Sequence, residues 1–374
     1  MKLLFIDFTL PYLLRDTDYP VGGWAVELNA WIYGLRANGH HVGVLTWKGA
    51  KKFVNKNLDF DLIETYDPDK GIKIIKYFYY FIPTLYKEAY NYNPDVIIQA
   101  CAGLNTGIMA FIAKRLKIPF MHRIAGDIDA DFRYKTSLLK YEQLAYKYGL
   151  KNTKFVLTQN SYQYNILTDF YPGKQIKNLK NPFLNLSNES YITYHSDKNY
   201  IAWVGVFKKP KNLSLLYKIA SQCNDLIFKI AGMPGKNIDS ETDNALELLK
   251  QLSNVEFVGY LNRDEILSFL SNAFVLLNTS HHEGFSNTFL EAFSVGTPVI
   301  APINADPDNI IQEKGLGFAV SSNEDFPSTI KQLCENKKWF HLISQRCQDY
   351  VYENHDPQLL AKRLVDIVSE IKRT

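Results

Sequence analysis

Several features that would assign the chain to other protein classes are missing. No run approaches the roughly 20 consecutive apolar residues that span a bilayer, and the opening run Leu3–Ile6 meets Asp7 at once, too short for a secretory leader. A cytoplasmic setting is therefore expected, with at most a peripheral contact at the inner face of the membrane. Cysteines number only four (Cys101, Cys223, Cys334 and Cys347) and show no paired metal or redox spacing, so idle reduced thiols are expected. No excess of one charge exists: 42 basic against 39 acidic residues leave +3, without the basic footprint of a nucleic-acid partner. No G-x-G-x-x-G follows the first apolar run, which argues against a dehydrogenase. The lone Asp127-Ile128-Asp129 lacks the context of a metal-and-nucleotide motif, so neither a metal ion nor another cofactor is implied.

What is present describes a globular α/β protein. Hydrophobic residues make up 46% and charged residues 22%, and 374 residues exceed one ordinary core, so two domains are expected. The first half alternates apolar strands with helical patterns. Leu3–Phe8 leads into a loop holding Pro11, Pro20, Gly22 and Gly23, then a helix with Ala25, Leu28, Ile32 and Leu35 on one face. Strands follow at Val42–Trp47, Asp95–Ala100, Pro119–His122 and Lys154–Thr158, with a glycine turn at Gly103 and Gly107 and a helix to about Lys117. The second half repeats the rhythm at Ile201–Val204, Leu226–Ile230, Val255–Val258, Phe274–Asn278 and Val299–Ala301, and ends in helical patterns over 325–353 and 357–373. Near-continuous apolar strands separated by helices imply two doubly wound parallel sheets. Ligands bind beyond the carboxyl ends of such strands. Function is expected in the loops 9–24, 101–107, 122–129, 205–211, 231–235 and 280–287.

One stretch carries chemistry. From Glu283 to Glu291 the chain reads EGFSNTFLE, after a strand pattern and before a helix stop at Gly296 and a second strand. Ser286 or Asn287 caps the helix. Glu283 then lies in the loop, and Glu291 about one turn inside. Between them, helix-start N–H groups form a natural phosphate seat. Carboxylates on both sides suit a molecule with hydroxyls at its ends and phosphate in the middle, as in a nucleotide sugar.

These residues resemble the signature of the retaining glycosyltransferase family 4, whose hallmark is Glu, seven residues, Glu. The resemblance covers most of the chain and is most specific over 280–301. It implies a GT-B fold: two Rossmann-like parallel-sheet domains facing a central cleft, an acceptor-side domain over 1–183 and a nucleotide-sugar-binding domain over 200–354, with 184–199 as linker and 357–374 crossing back onto the first. It implies transfer of a sugar from a nucleotide-diphosphate donor to a hydroxyl of a saccharide or lipid-linked glycan, with retention of configuration and without a metal. Gly22 and Gly23 resemble the family's glycine loop, and His122 a histidine facing the donor sugar. Asn181-Pro182 resembles the turn before the linker. Gly205 and Lys211 match the diphosphate-binding step, but Val206 stands where the family carries an Arg, so Lys208 is a candidate stand-in.

The roles follow from charge. Lys211 and the amides of Gly284, Phe285, Ser286 and Asn287 would hold the departing diphosphate. Glu291 would accept hydrogen bonds from the ribose, and Glu283 would hold the donor sugar and support positive charge at its anomeric carbon. Glu283, His122 and Lys211 are the candidate catalytic residues, and Asp127 and Asp129 the candidate acceptor binders. Aromatic and basic residues mix over 76–81 and 133–151, a composition that suits an anionic lipid surface. Two rivals stand beside this reading: a nucleotide-sugar-binding partner subunit without catalysis, and another GT-B enzyme such as a sugar-nucleotide epimerase.

Overall fold

The computed structural model describes residues 1–15, 21–72, 75–184, 198–235 and 238–373, the side chains of 263, 264, 337 and 371–373 excepted. Two compact units form: Met1–Leu184 with His355–Thr374, and Asn185–Asn354. The residues 185–197 of the expected linker lie outside the described residues.

The first unit is built on seven parallel strands: β1 (Lys2–Ile6), β2 (His41–Thr46), β3 (Asp61–Glu64), β4 (Val96–Ala100), β5 (Phe120–Arg123), β6 (Phe155–Thr158) and β7 (Gln175–Asn178). Their order is β3-β2-β1-β4-β5-β6-β7. The central pair is apolar on both faces, with Leu3, Leu4, Phe5, Val96, Ile97 and Ile98 all buried, because helices cover both sides. Two strands escape the sequence reading. β3 (DLIE) and β7 (QIKN) are edges, each pairing on one side only, so neither needs a continuous apolar run.

Two local expectations are corrected. The segment after β1 is not all loop: Leu10–Arg15 is a short helix with Pro11 in its first turn, where the missing N–H costs nothing. Asp7 Oδ1 starts it by accepting from Thr9 N at 2.7 Å and Leu10 N at 2.5 Å. Pro20 lies outside the described residues. Gly107 is not in a turn but inside the Leu104–Leu116 helix, which crosses the Lys140–Asn152 helix so closely that a Cβ there would sit 2.6 Å from Ala145 O.

The last helix, Pro357–Arg373, belongs to this unit and packs on the Gly23–Ala37 helix. Leu360, Leu364 and Ile367 share a core with Leu28, Trp31, Ile32 and Leu35, as an apolar stripe at helical spacing requires. The side chain of Ile371, the last residue of that expected stripe, lies outside the described residues.

The second unit has six parallel strands: β8 (Tyr200–Val204), β9 (Phe228–Ala231), β10 (Val255–Gly259), β11 (Ala273–Leu277), β12 (Val299–Pro302) and β13 (Gly317–Val320), in the order β10-β9-β8-β11-β12-β13. β13 is a short edge strand that the sequence reading missed. The pattern over 325–353 is two helices, Phe326–Glu335 and Lys337–His355. They part at Asn336, whose Oδ1 accepts from Trp339 N at 3.1 Å, a side-chain bond that competes with helix continuation.

Candidate functional site

In each sheet strand order reverses once, between β1 and β4 and between β8 and β11. At such a switch point the loops leaving two adjacent strands diverge to opposite faces, and the gap between them receives ligands.

In the second unit the loops after β8 and β11 carry the sequence-predicted residues. After β8 come Gly205, the exposed Val206 and Lys208, then a 3₁₀ turn over Lys209–Lys211. After β11 the loop is tied to that turn. Trp203 Nε1 donates to Thr279 Oγ1 at 3.0 Å, Thr279 Oγ1 donates to Lys211 O at 2.8 Å, and His281 N donates to Pro210 O at 3.0 Å. The result seats Lys211 against Glu283, with Nζ 2.5 Å from Oε1 and the two side chains only 19% and 14% exposed. Ser280 Oγ at 2.7 Å and Asn278 Nδ2 at 3.3 Å donate to the same oxygen. Among the described residues none bonds Oε2. Burial opposes charge on Glu283, but the Lys211 ammonium and these hydrogen bonds outweigh it and hold the carboxyl below its usual range.

Gly284 and Phe285 lead to the Asn287–Ser294 helix. Ser286, with extended backbone, is its cap residue, although its side chain makes no capping bond. Phe289, Leu290, Ala292 and Phe293 bury one face, and Glu291 stays half-buried one turn from the start. The structure thus gathers Gly205, Lys211, Glu283 and the helix start at one switch point. Asn278 and Ser280, which aim Glu283, were not read from the sequence, although an Asn two residues before a Ser at a strand end is a legible turn signal. Gly232 was also missed. It has φ +144, and a Cβ there would fall 1.9 Å from Gly205 O, so β8 and β9 leave the sheet in backbone contact.

In the first unit a cavity of about 530 Å³ opens at the β1/β4 switch point, with Asp7, Gly22, Trp24, Gln99, Cys101 and Asn105 among its walls. Gly22 is the cap residue of the Gly23–Ala37 helix. His122 is not in those walls. It is fully buried in β5, its Nδ1 lies 2.9 Å from Gln99 Oε1, and its ring stands edge-on to Tyr146. Burial pushes its pKa down to about 3, so it is neutral. Beside it lies a buried ion pair with no sequence signal, Arg123 with Glu27. Arg123 also donates to Leu179 O at 3.0 Å and Asn181 Oδ1 at 2.7 Å, while Asn181 O bonds His355 Nδ1 at 2.7 Å. Asp127 and Asp129 are engaged by protein groups. Asp127 accepts from Asn160 at 3.1 Å and Gln163 at 2.9 Å. Asp129 accepts from Ala102 N at 3.3 Å and Ala125 N at 3.4 Å, and burial raises it to about 6.

Among the described residues no three His, Cys, Asp or Glu side chains gather to hold a metal ion, and no helix is long and apolar enough to cross a membrane. Residues 192–367 match the family described as "Glycosyl transferases group 1". An Anabaena protein solved in complex with UDP-glucose has a similar fold, with a TM-score of 0.76 at 15% identity over 99% of this chain and 100% of that one. The chain is a glycosyltransferase of GT-B fold. The glycosyltransferase is also 25% identical to an uncharacterized glycosyltransferase of Methanocaldococcus jannaschii, over 67% of each chain. It is 24% identical to the alpha-monoglucosyldiacylglycerol synthase of Streptococcus pneumoniae, over 91% of this chain and 82% of the relative.

Proposed function

We propose that the glycosyltransferase moves a hexose from a nucleotide-diphosphate donor to a hydroxyl of a saccharide or lipid-linked glycan, with retention and without a metal ion. The Lys211–Glu283 pair at the β8/β11 switch point, beside a helix start with Glu291 one turn in, carries the reading. In the reaction the anomeric C–O bond to diphosphate breaks, a C–O bond to the acceptor oxygen forms, and the acceptor's hydroxyl proton passes to the departing diphosphate. Negative charge grows on the diphosphate, where Lys211 and the helix-start amides meet it without reorganisation. Glu283 holds donor hydroxyls and opposes the positive charge at the anomeric carbon. Glu291 binds the ribose. His122 acts as a positioning residue: being sealed behind Gln99, it reaches the pocket only through that amide. Asp127 and Asp129 serve the acceptor side by shaping the loop after β5. The UDP-glucose bound to the Anabaena protein supports a nucleotide-sugar donor.

A peripheral lipid contact within a cytoplasmic setting is part of the same proposal. Phe78 is 75% and Leu144 68% exposed, in segments that also carry Lys76, Lys140 and Lys147. Flotation with vesicles containing anionic lipid, against neutral vesicles, tests it. Exposed Val206 in place of a cation favours one rival, a donor-binding subunit without turnover. The deciding assay is sugar transfer across a panel of UDP-, GDP- and ADP-sugars with glycan acceptors. Turnover supports the enzyme. Binding without turnover on every acceptor supports the rival.

A further inference from the structure

We propose that a lysine-lined pocket at the amino ends of β6 and β7 binds a phosphate-bearing anion, at a site separate from the donor seat and from the β1/β4 cavity. The pocket plays no part in the transferase reading above.

Its volume of about 790 Å³ falls within the roughly 300–1,000 Å³ of small-ligand sites. Lys154 immediately precedes β6, and Gln175 opens β7. Ligands of open parallel sheets usually sit beyond the carboxyl ends of the strands. This pocket lies at the opposite end and shares no wall residue with the β1/β4 cavity.

Its walls carry Lys147, Lys151, Lys154 and Lys174, and among the described lining residues there is no Asp or Glu. Lys147 and Lys151 stand four residues apart on the Lys140–Asn152 helix and so share a face. Both are exposed, as is Lys154. No ion pair among the described residues involves any of the four. Lys174 is more constrained. Its Nζ donates to Lys151 O at 3.2 Å and to Thr153 O at 2.9 Å. The ammonium is thus held half-buried against two carbonyls and no carboxylate, and burial lowers its pKa from the ordinary lysine value. An anion in the pocket would supply the missing countercharge.

The helices Lys140–Asn152 and Ser161–Phe170 both end at the wall, each adding about half a negative charge. Four ammonium groups still leave about three positive charges over. A phosphomonoester carries about −1.5 to −2 at neutral pH, with three acceptor oxygens. Lysines meet such a group as mobile point charges, without a fixed fork. Phe170, 57% exposed, and Tyr171 border them with apolar faces. The favoured ligand therefore carries its phosphate on a carbon skeleton, as a sugar phosphate or a phospholipid headgroup does.

Calorimetric titration of the full chain with glucose 6-phosphate, glycerol 3-phosphate and pyrophosphate tests this, with saturating UDP or GDP present to fill the donor seat. At least one compound should bind with a Kd of about 1 mM or tighter, and more weakly as salt rises from about 20 to about 200 mM. Lys151→Gln/Lys154→Gln should weaken it about fivefold or more. Lys52→Gln/Lys87→Gln, which removes two exposed lysines elsewhere on the same unit, should leave it unchanged. The thermal transition reports the fold, and Lys154→Gln alone serves where the double variant does not fold. Flotation with phosphatidylglycerol vesicles separates the two sources of phosphate. Soluble compounds bound without vesicles identify a free sugar or glycerol phosphate. Vesicle binding that the pocket variant loses, with no soluble compound bound, identifies a headgroup. No binding of either kind, binding indifferent to Lys151→Gln/Lys154→Gln, or equal weakening in both double variants overturns the proposal.

Discussion

Replacing Lys211 by Met keeps most of the aliphatic stem and removes the cation from Glu283. Breaking a fully buried pair costs about 3–5 kcal/mol, because the remaining charge is stranded. Here both side chains keep some water contact, at 19% and 14% exposure, so about 2 kcal/mol is the working value after discounting for screening. The second unit runs from Asn185 to Asn354, and a domain of that size shifts by about 2–4 °C per kcal/mol. The transition that carries this unit should therefore fall by about 4–8 °C. The sign with pH follows from Glu283, whose carboxyl is held below its usual range. A depressed carboxyl contributes stability above its unfolded value of about 4.3, lost as pH falls through the folded value. Without Lys211, only the hydrogen bonds from Ser280 and Asn278 oppose burial, and the carboxyl moves up. The deficit of Lys211→Met should then be full at neutral pH and shrink toward pH 4, where the protonated acid needs no cation. Adding Glu283→Gln should restore much of the loss at neutral pH. Calorimetry on the full chain at both pH values reads all of this. An undiminished deficit at low pH, or none at neutral pH, would refute the electrostatic account of the pair.

Turnover should survive EDTA, because Lys211 and helix amides supply the neutralising charge; abolition by EDTA and restoration by Mg²⁺ or Mn²⁺ would show that the leaving group is handled by a metal. Lys211→Ala should lower turnover more than Lys208→Ala, since Lys211 is fixed on Glu283 whereas Lys208 is exposed; the reverse ranking would make Lys208 the principal cation. Leu364→Ala should destabilise the first unit by about 2–5 kcal/mol, because Leu364 is 2% exposed in the core shared with the Gly23–Ala37 helix. Its effect should be confined to the transition that carries that unit, and a shift of the second unit's transition alone would contradict the packing.

The central strands were legible because burial on both faces forces apolar runs, whereas the edges β3 (DLIE) and β7 (QIKN) carry none; the edge β13 (GFAV) is apolar but only four residues long. The placing of Lys211 and Glu283 in one site was legible only as family spacing, and their ion pair was not read at all; its geometry depends on Thr279 and His281 tying two loops together, contacts that no local pattern announces. His122 reads as a ligand-facing residue only through the family resemblance. Which way such a side chain points depends on Gln99 and Tyr146, distant in sequence. Arg123 and Glu27 lie 96 residues apart, and a buried pair of that span leaves no trace in composition or period. The crossing of the Pro357–Arg373 helix onto the first unit shows in sequence as an apolar stripe in need of a partner, but not as the identity of that partner.

The central claim is a donor seat on the second unit, with Glu291 reading the ribose from one turn inside the helix that follows Glu283. Isothermal titration of UDP, GDP and ADP into the wild-type chain and Glu291→Gln tests it directly. A charge-assisted hydrogen bond is worth about 1.5–3 kcal/mol, so the variant should bind its preferred nucleotide about tenfold more weakly or worse, with its fold unchanged. Equal affinities for all three nucleotides in both proteins would remove Glu291 from the site and contradict the account.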